Sequence, residues 1–218
     1  MRTAHVHASS TLGVLTAEDA REAWGWRGRT LGKPVIAPDG PAWLRLACAS
    51  VGQAVATFWD GSIEAEKFMP RSIPRPCLRT WHDWRDQHWQ YRAELYDLVT
   101  SRPAAPAAVL AAAPDLPRAW WAAVRATLDE IAGIPTRRLT IHQAFLDYAM
   151  PRLLGTPIDT RAPCPWTTAH GDFHFANICV PTLHVLDFEG WGMAPAGYDG
   201  CHAPQLQPAR ARSSRPRS

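Results

Sequence analysis

The sequence predicts an α+β protein in which β-strands dominate the first hundred residues and helices follow. Short apolar runs separated by turn residues, such as "KPVIAPDGPAWLRLA", fill the first part. After residue 114 the apolar residues instead recur at helical spacing. A Pro/Ala-rich connector, "SRPAAPAAVLAAAP", separates the two parts. We therefore expect an N-terminal lobe over residues 1–100, a C-terminal lobe over 101–200 and a disordered basic tail over 201–218.

The N-terminal lobe is predicted to be a sheet interrupted by one small helix. Residues 1–20 are expected to be loosely held, apart from a short helix in "TAEDAREAW" capped by Thr16. Strands over 34–37 and 43–47 should form a hairpin through the Pro and Gly residues between them. A helix in "GSIEAEKF" follows, then a strand over 77–84 and another in "WQYRAELYDLVTSR".

The C-terminal lobe is predicted to begin with two helices and to continue into a hairpin. The first helix lies in "PDLPRAWWAAVRATLDEIAGIP", where Asp115 can cap its start. Its inner face is formed by apolar residues at helical spacing: Leu116, Trp120, Val124, Leu128 and Ile131. The second helix is expected to start at Thr140, with Gln143 completing a capping box, and to break or kink at Pro151. The runs "NICV" and "LHVLDF" then predict a tight hairpin around Pro181.

Composition and charge favour a soluble, cytoplasmic protein. The chain is 46% apolar and 20% charged, and no apolar run approaches the roughly 18 residues of a membrane helix. The net charge is +3, part of it in the tail "PARARSSRPRS", whose composition is typical of disorder and argues against a nucleic-acid partner. Five cysteines without a CxxC spacing argue against a disulfide framework and a zinc ribbon.

The stretch "TTAHGDFHFANICVPTLHVLDFEGWG" carries the chemistry. Phosphoryl transfer requires Mg²⁺, oxygen ligands to hold it, and a separate carboxylate beside the acceptor hydroxyl. Protein kinases supply these with a loop of pattern H-x-D-x-x-x-x-N, a hairpin and then a second Asp. This sequence has His170, Asp172 and Asn177 at that spacing, followed by the predicted hairpin and Asp187. The spacing therefore indicates a phosphoryl-transfer site.

The segments "HGDFHFANI" and "VLDFEGWGMAPAGYD" resemble the catalytic region of the aminoglycoside phosphotransferase family, which includes choline and homoserine kinase-like enzymes. The resemblance implies a protein-kinase-like bilobal fold with a β-rich N-terminal lobe and a mainly helical C-terminal lobe. It also implies transfer of the ATP γ-phosphate to the hydroxyl of a small-molecule substrate. Asp172 would be the catalytic carboxylate, Asn177 and Asp187 would hold Mg²⁺, and Glu189 would be an accessory acidic group near the metal. His170 would hold the loop, and His174 occupies a position where the family often carries His.

The same resemblance assigns the nucleotide phosphates to a cation on the N-terminal sheet. Arg45 stands where Lys is usual, and Lys33 on the preceding strand is the other candidate. Glu64 or Glu66 on the following helix would steady the cation, and the strand that includes Glu94 would meet adenine through its backbone. "WGWRGRTLGKP" is the nearest candidate for a phosphate loop.

Two alternatives stay open at the level of sequence. Enzymes of the family continue beyond the metal-binding Asp with several helices, so we expect a shortened, truncated C-terminal lobe and keep a catalytically inactive remnant of the same fold as an alternative. The other alternative is a metal-dependent hydrolase, because His170, Asp172 and His174 alternate as ligands on one side of a strand would. The acceptor is open among aminoglycosides, other sugars, choline-like amine alcohols and amino-acid hydroxyls.

Overall fold

The computed structural model describes residues 1–17, 19–52, 59–108, 114–161 and 164–201. The chain divides into two compact units. The first unit comprises Met1–Met69 and Pro74–Thr100, and the second comprises Pro70–Ile73 and Ser101–Ser218. Apart from Cys201, the predicted basic tail lies outside the described residues.

The first unit is built on a five-stranded antiparallel sheet with the strand order β1-β2-β3-β5-β4. The strands are β1 Ala23–Trp24, β2 Thr30–Ala37, β3 Gly40–Ser50, β4 Leu78–Arg85 and β5 Trp89–Asp97. β2 and β3 form the predicted hairpin, with Ala37 opposite Gly40, and both strands are longer than predicted. Cross-strand pairing extends both strands, from Thr30 opposite Ala47 at one end to Ala37 opposite Gly40 at the other.

One face of this sheet packs against an N-terminal helix, α1, Arg2–Thr11. Leu44 and Leu46 on β3 are fully buried in this core, as is Ala8 on α1. The prediction of a loosely held start with a helix at Thr16 is therefore wrong. Residues 19–22 are not helical, and α1 forms upstream because tertiary packing outweighs weak local helix signals.

The opposite face of the sheet carries polar side chains and a second helix, α2, Gly61–Phe68, with the bounds that the sequence predicts. Side chains alternate between faces along a strand, so Arg45 lies opposite to Leu44 and Leu46. Arg92, also on this face, bonds to Asp60 at the start of α2 (3.3 Å). This polar face therefore lies beside α2 and away from α1.

The second unit combines helices with two short antiparallel ladders. Its described elements are β6 Arg102–Pro103, α3 Arg118–Ala132, α4 Gln143–Leu154, β7 Trp166–Ala169, β8 Cys179–Val180, β9 Gly192–Pro195 and α5 Tyr198–Cys201. β6 pairs with β8, and β7 pairs with β9. None of the described helices has the length and apolarity needed to span a bilayer.

The two longer helices differ in how closely they follow the sequence. α3 buries Trp120, Val124 and Ile131 as predicted, but it begins after Pro117 without a side-chain cap, so Asp115 is not its N-cap. α4 begins at Gln143 rather than at Thr140, and it continues beyond Pro151 to Leu154. The helical spacing of Ile141, Phe145 and Ala149 predicts an inner face, but no residue of α4 is buried, and the buried Ile141 lies before its first residue.

Candidate active site

The motif runs between two paired strands, which bring its ends together. Ala169 at the end of β7 lies opposite Gly192 at the start of β9. Between them the predicted hairpin is present: Ile178 bridges Val185, and the amide of Cys179 donates to the carbonyl of His184 (2.9 Å). Ile178 and Val185 are buried, as expected for a hairpin whose apolar side packs on the core. The prediction of a hairpin within the motif is confirmed.

The hairpin places Asn177 next to the second acidic residue of the motif. The amide of Leu186 donates to the carbonyl of Asn177 (2.7 Å), so Asp187 follows one residue beyond this bond. Asp187 adopts a left-handed conformation with φ 62° and ψ 61°. Non-glycine residues hold this conformation only where the surroundings impose it, and such positions concentrate at functional sites. The backbone at Asp187 is thus a second, independent sign of a site.

Asn177 also reaches back across the loop to Asp172. Its Nδ2 donates to the Asp172 carbonyl (3.0 Å) and to the carboxylate Oδ2 (3.1 Å). Both contacts use the donor end of the amide, so Oδ1 is the atom that can serve as a metal ligand. The structure therefore brings together Asp172 and Asn177, with Asp187 held in place by the hairpin.

His170 is a buried residue that holds the loop in place through hydrogen bonds to the backbone. Its side chain is fully buried; Nε2 donates to the carbonyl of Leu186 (2.9 Å), and Nδ1 accepts from the amide of Asp172 (3.3 Å). Burial lowers the pKa of His170, which keeps the ring neutral in this tautomer. It joins the loop that carries Asp172 to the strand that leads into Asp187.

The bonds of His170 argue against the hydrolase alternative, in which this ring is a metal ligand. Both ring nitrogens of His170 are occupied by backbone groups, so the ring has no lone pair for a metal. Among the residues that the structure describes, no cluster of three His, Cys, Asp or Glu side chains is arranged to hold a metal ion. Mg²⁺ is not excluded by this, since it is commonly bound through one or two carboxylates together with substrate phosphates.

Asp172 is an ionised, accessible carboxylate. The hydrogen bond from His174 lowers the pKa of Asp172, and the same contact (Nε2 to Oδ2, 3.4 Å) raises the pKa of His174. The Asp172 side chain is 56% exposed, so a substrate group can reach it from solvent.

Asp199 on α5 holds the start of the loop. Its carboxylate accepts from the backbone amides of His170 (2.7 Å) and Gly171 (3.0 Å), and only 7% of the residue is exposed. An irregular loop leaves its amides without ladder partners, and a buried carboxylate can satisfy two of them at once. Asp199 is the last residue of the segment "VLDFEGWGMAPAGYD", which predicts that it helps to close the site; its bonds to the loop are not evident from the sequence.

In the first unit, Arg45 pairs with a strand residue. Arg45 and Glu94 face each other in the β3–β5 register, and Nη1 of Arg45 lies 2.8 Å from Oε2 of Glu94. Tyr96 also donates to this carboxylate oxygen (3.0 Å). Glu94 is thus a partner of Arg45 that the resemblance does not imply, and the support of this cation by Glu64 or Glu66 stays a prediction. The expectation that the Glu94 strand meets adenine through its backbone stays a prediction.

Lys33, the other candidate cation, lies on the opposite face of the sheet. It faces Leu44 in the register, whereas Gly32 faces Arg45. Its Nζ pairs with Glu22 (3.0 Å), a residue that also accepts from Arg2 of α1. The two candidates therefore cannot serve one phosphate site.

The acidic residues of α2 occupy separate places. Glu64 lies in the first turn of the helix. Glu66 accepts from Arg75 Nη1 (2.6 Å) and from the amide of Leu78 (3.1 Å), which ties α2 to the start of β4. The glycine-rich candidate loop forms the connection between β1 and β2, with a single 3₁₀ turn at Trp26–Gly28.

The fold has known counterparts, although no protein-family model and no curated protein matches the sequence. A thermostable mutant of aminoglycoside phosphotransferase APH(4)-Ia, in a ternary complex with ADP and hygromycin B, is similar at a TM-score of 0.56 and 14% identity, covering 90% of this chain and 74% of that chain. Spectinomycin phosphotransferase APH(9)-Ia, in complex with ADP and spectinomycin, is similar at 0.54 and 10%, covering 90% and 71%. A microcompartment-associated aminopropanol kinase is similar at 0.52 and 12%, covering 92% and 73%.

These identities are low enough that the likeness establishes the fold alone. The α+β, protein-kinase-like fold predicted from the sequence is confirmed. Each of the three counterparts is a phosphotransferase or kinase that acts on a small molecule.

Proposed function

We propose that this chain is an ATP- and Mg²⁺-dependent phosphotransferase acting on the hydroxyl of a small-molecule substrate. The observation that carries the proposal is the bond between Asn177 and Asp172, in a loop whose hairpin sets Asp187 beside Asn177. A catalytic carboxylate, an amide oxygen and a second carboxylate are the groups that phosphoryl transfer with a metal ion requires.

The donor set fits Mg²⁺. Asn177 through Oδ1 and Asp187 through its carboxylate would hold the ion, and Glu189 would be an accessory acidic group near it; all of these are hard oxygen donors. When bound, Mg²⁺ neutralises charge on the nucleotide phosphates.

Asp172 would orient the acceptor hydroxyl by accepting its hydrogen bond. Its lowered pKa keeps it ionised at neutral pH and makes it a weak base. We therefore expect it to position the hydroxyl oxygen for attack and to take the proton late, as the new P–O bond forms.

In the first unit, Arg45 is the cation that we assign to the nucleotide phosphates. It lies on the polar face of the sheet, where Glu94 holds it through Nη1, and a guanidinium is a planar fork of N–H donors that matches the oxygens of a phosphate. Lys33 shares its face with the core beneath α1, which argues against the same role. Glu64 or Glu66 would add to the support of Arg45 from α2.

The names of the counterparts guide the choice of the first acceptors to test. Their names include aminoglycosides, spectinomycin and aminopropanol, so alcohols that also carry an amine are the first compounds to screen. A cytoplasmic location, expected from the cysteine pattern, belongs to the same proposal.

The test is a thermal melt of the purified chain with and without Mg-ATP, for the parent, Asp187→Asn and Asp172→Asn. Nucleotide at a hundred times its Kd should stabilise the parent by about 2.7 kcal/mol. Asp187→Asn should lose this shift, whereas Asp172→Asn should keep it and lose acceptor-dependent ADP release. A parent that melts cooperatively without any nucleotide shift would instead support the inactive remnant.

A further inference from the structure

The backbone that follows Asp187 accepts hydrogen bonds from an arginine side chain far upstream in the chain. Arg138, in the connection between α3 and α4, donates from Nε to the carbonyl of Trp191 (3.0 Å) and from Nη2 to the carbonyl of Glu189 (3.4 Å). Its guanidinium also lies 5.0 Å from the centre of the Trp191 ring, which is fully buried. A planar guanidinium fixes two carbonyls and a ring in one geometry.

A threonine two residues later holds the carbonyl between those two. Thr140 Oγ1 donates to the carbonyl of Gly190 (2.6 Å). The backbones of the two segments are also joined, since the amide of Met193 donates to Arg138 (2.8 Å) and the amide of Thr140 donates to Met193 (3.1 Å). The carbonyls of three consecutive residues, 189–191, thus accept hydrogen bonds from the side chains of Arg138 and Thr140. We call these two side chains the brace.

The brace also touches the loop that carries Asp172. Gly171 has φ +91°, and a Cβ there would lie 2.6 Å from the Gly190 carbonyl oxygen and 2.9 Å from the Thr140 methyl carbon. The catalytic loop and the segment after Asp187 therefore meet at Gly171 with no space between them, and Thr140 lies at that junction. A displacement of Thr140 would be transmitted to both.

We propose that Arg138 and Thr140 are positioning residues that set the place of Asp187 relative to Asn177 and so determine the affinity for Mg²⁺. This inference rests on the proposed function. Asp187 is held in a left-handed conformation that costs free energy, and such a conformation persists only where the surrounding structure fixes it. The brace fixes the carbonyls that follow Asp187, and Leu186, bonded to His170 and Asn177, fixes the residue before it.

The experiment compares nucleotide affinity in Mg²⁺ with nucleotide affinity in EDTA, by calorimetry, for the parent, Arg138→Met and Thr140→Val. Thr140→Val keeps the shape and the methyl contact with Gly171 while removing the hydroxyl. We expect each variant to weaken the Mg²⁺-dependent affinity about tenfold, as lost outer contacts of metal sites do, with the metal-free affinity within about twofold of the parent.

Three further variants make the comparison specific. Thr140→Ser keeps the hydroxyl and should bind as the parent does. Arg138→Lys keeps the positive charge but not the planar guanidinium, so it should lose less Mg²⁺-dependent affinity than Arg138→Met. It also replaces Arg138→Met in the comparison if the methionine variant does not fold. Arg125→Met, which removes an exposed arginine of α3 bonded to Asp129, should leave both affinities unchanged.

The outcomes separate the two proposals. If nucleotide binding by the parent does not depend on Mg²⁺, both the proposed function and the proposed role of the brace are overturned. A parent that binds with Mg²⁺, together with brace variants that bind equally well, overturns the brace alone. Equal losses with and without Mg²⁺ also overturn it, because they indicate a purely structural role.

Discussion

In the first unit, two arginines pair side chain to side chain with carboxylates on the neighbouring strand. Arg45 meets Glu94 at 2.8 Å, and Arg92 meets both oxygens of Asp83 at 2.7 Å. Each of these pairs is directly opposed in the strand register. In the second unit, buried polar side chains bond instead to the backbone of a loop: Asp199 to two amides, and His170 to an amide and a carbonyl.

The difference follows from the state of the backbone in each unit. In a sheet the amides and carbonyls are already paired along the ladders, so polar side chains find one another. In an irregular loop the backbone groups need partners, and buried side chains supply them. Loss of a side chain should therefore be most costly in the second unit, where it leaves backbone groups without partners.

The largest effect is expected for Asp199→Ala. The change removes two charge-assisted hydrogen bonds, so the buried amide of His170 and the half-buried amide of Gly171 lose their acceptors. Because hydrogen bonds to charged groups contribute about 1.5–3 kcal/mol each, the free energy of unfolding should fall by about 4 kcal/mol. Urea unfolding measures it.

Asp199→Asn is the matched variant, because the two amides bond to different carboxylate oxygens and Asn replaces one of these with an NH2 group that cannot accept. It should fall between the parent and Asp199→Ala. A loss below about 1 kcal/mol in the alanine variant would show that water replaces the carboxylate, and the loop would then not depend on it.

Glu94→Gln is expected to have the second largest effect, a loss of about 2–3 kcal/mol. The carboxylate is 1% exposed and accepts from both Arg45 and Tyr96, and a neutral amide makes weaker bonds to each. Chemical denaturation gives the change in the free energy of unfolding.

Asp83→Asn is the control on the same sheet. The Asp83 side chain is 46% exposed, so a loss of only about 1 kcal/mol is expected. Equal losses in the two variants would refute the link between burial and cost.

The pH dependence of the free energy of unfolding can be tested in each unit separately, because each contains a buried histidine. Burial lowers the pKa of both His170 and His5 below the ordinary 6.5, so each is neutral in the folded chain and takes up a proton on unfolding. Stability is therefore lost as the pH falls below 6.5, by at most about 1.4 kcal/mol per pH unit for each residue. His174, whose pKa is raised, contributes with the opposite sign, so variants must be compared with the parent.

The matched variants are His170→Gln and His5→Gln, whose amides can replace the Nε2–H donor without titrating. Unfolding measured between pH 7.5 and 5 should give a flatter slope for each variant than for the parent. The effect should be larger for His170 than for His5, because protonation of the His170 ring at Nδ1 would also remove the hydrogen bond from the Asp172 amide. Unchanged slopes would mean that the rings do not titrate in this range.

The sequence predicts the elements whose signals are local. The β2–β3 hairpin follows from its turn residues, and α2 has the predicted bounds. The loop from His170 to Asn177 and the hairpin after it follow from motif spacing. α1 was missed because its Ala8 and His5 are buried only by the sheet, and its own amphipathic pattern is weak.

Contacts between distant segments could not be predicted in the same way. The pairing of Arg45 with Glu94 depends on strand register, which the sequence does not specify to the residue. Arg138 and Thr140 bind backbone carbonyls, and a carbonyl has no residue-type signature that a sequence pattern could match. Thr140 is predicted to be a helix cap because the sequence does not distinguish a hydroxyl that bonds to the Gly190 carbonyl from one that caps a helix.

The smallest effect is expected for Asp129→Asn on α3, and it tests the role of burial most directly. Arg125 and Asp129 lie 2.9 Å apart, nearly the 2.8 Å of Arg45 and Glu94, so distance alone predicts equal contributions. The side chains of the α3 pair are 78% and 63% exposed, however, against 15% and 2% for the strand pair. Water and salt screen the exposed pair, and its side chains lose entropy when they are held together, so removing it should cost only about 0.3–0.5 kcal/mol. A loss as large as that of Glu94→Gln in the same denaturation experiment would mean that separation, and not burial, determines what an ion pair contributes in this protein.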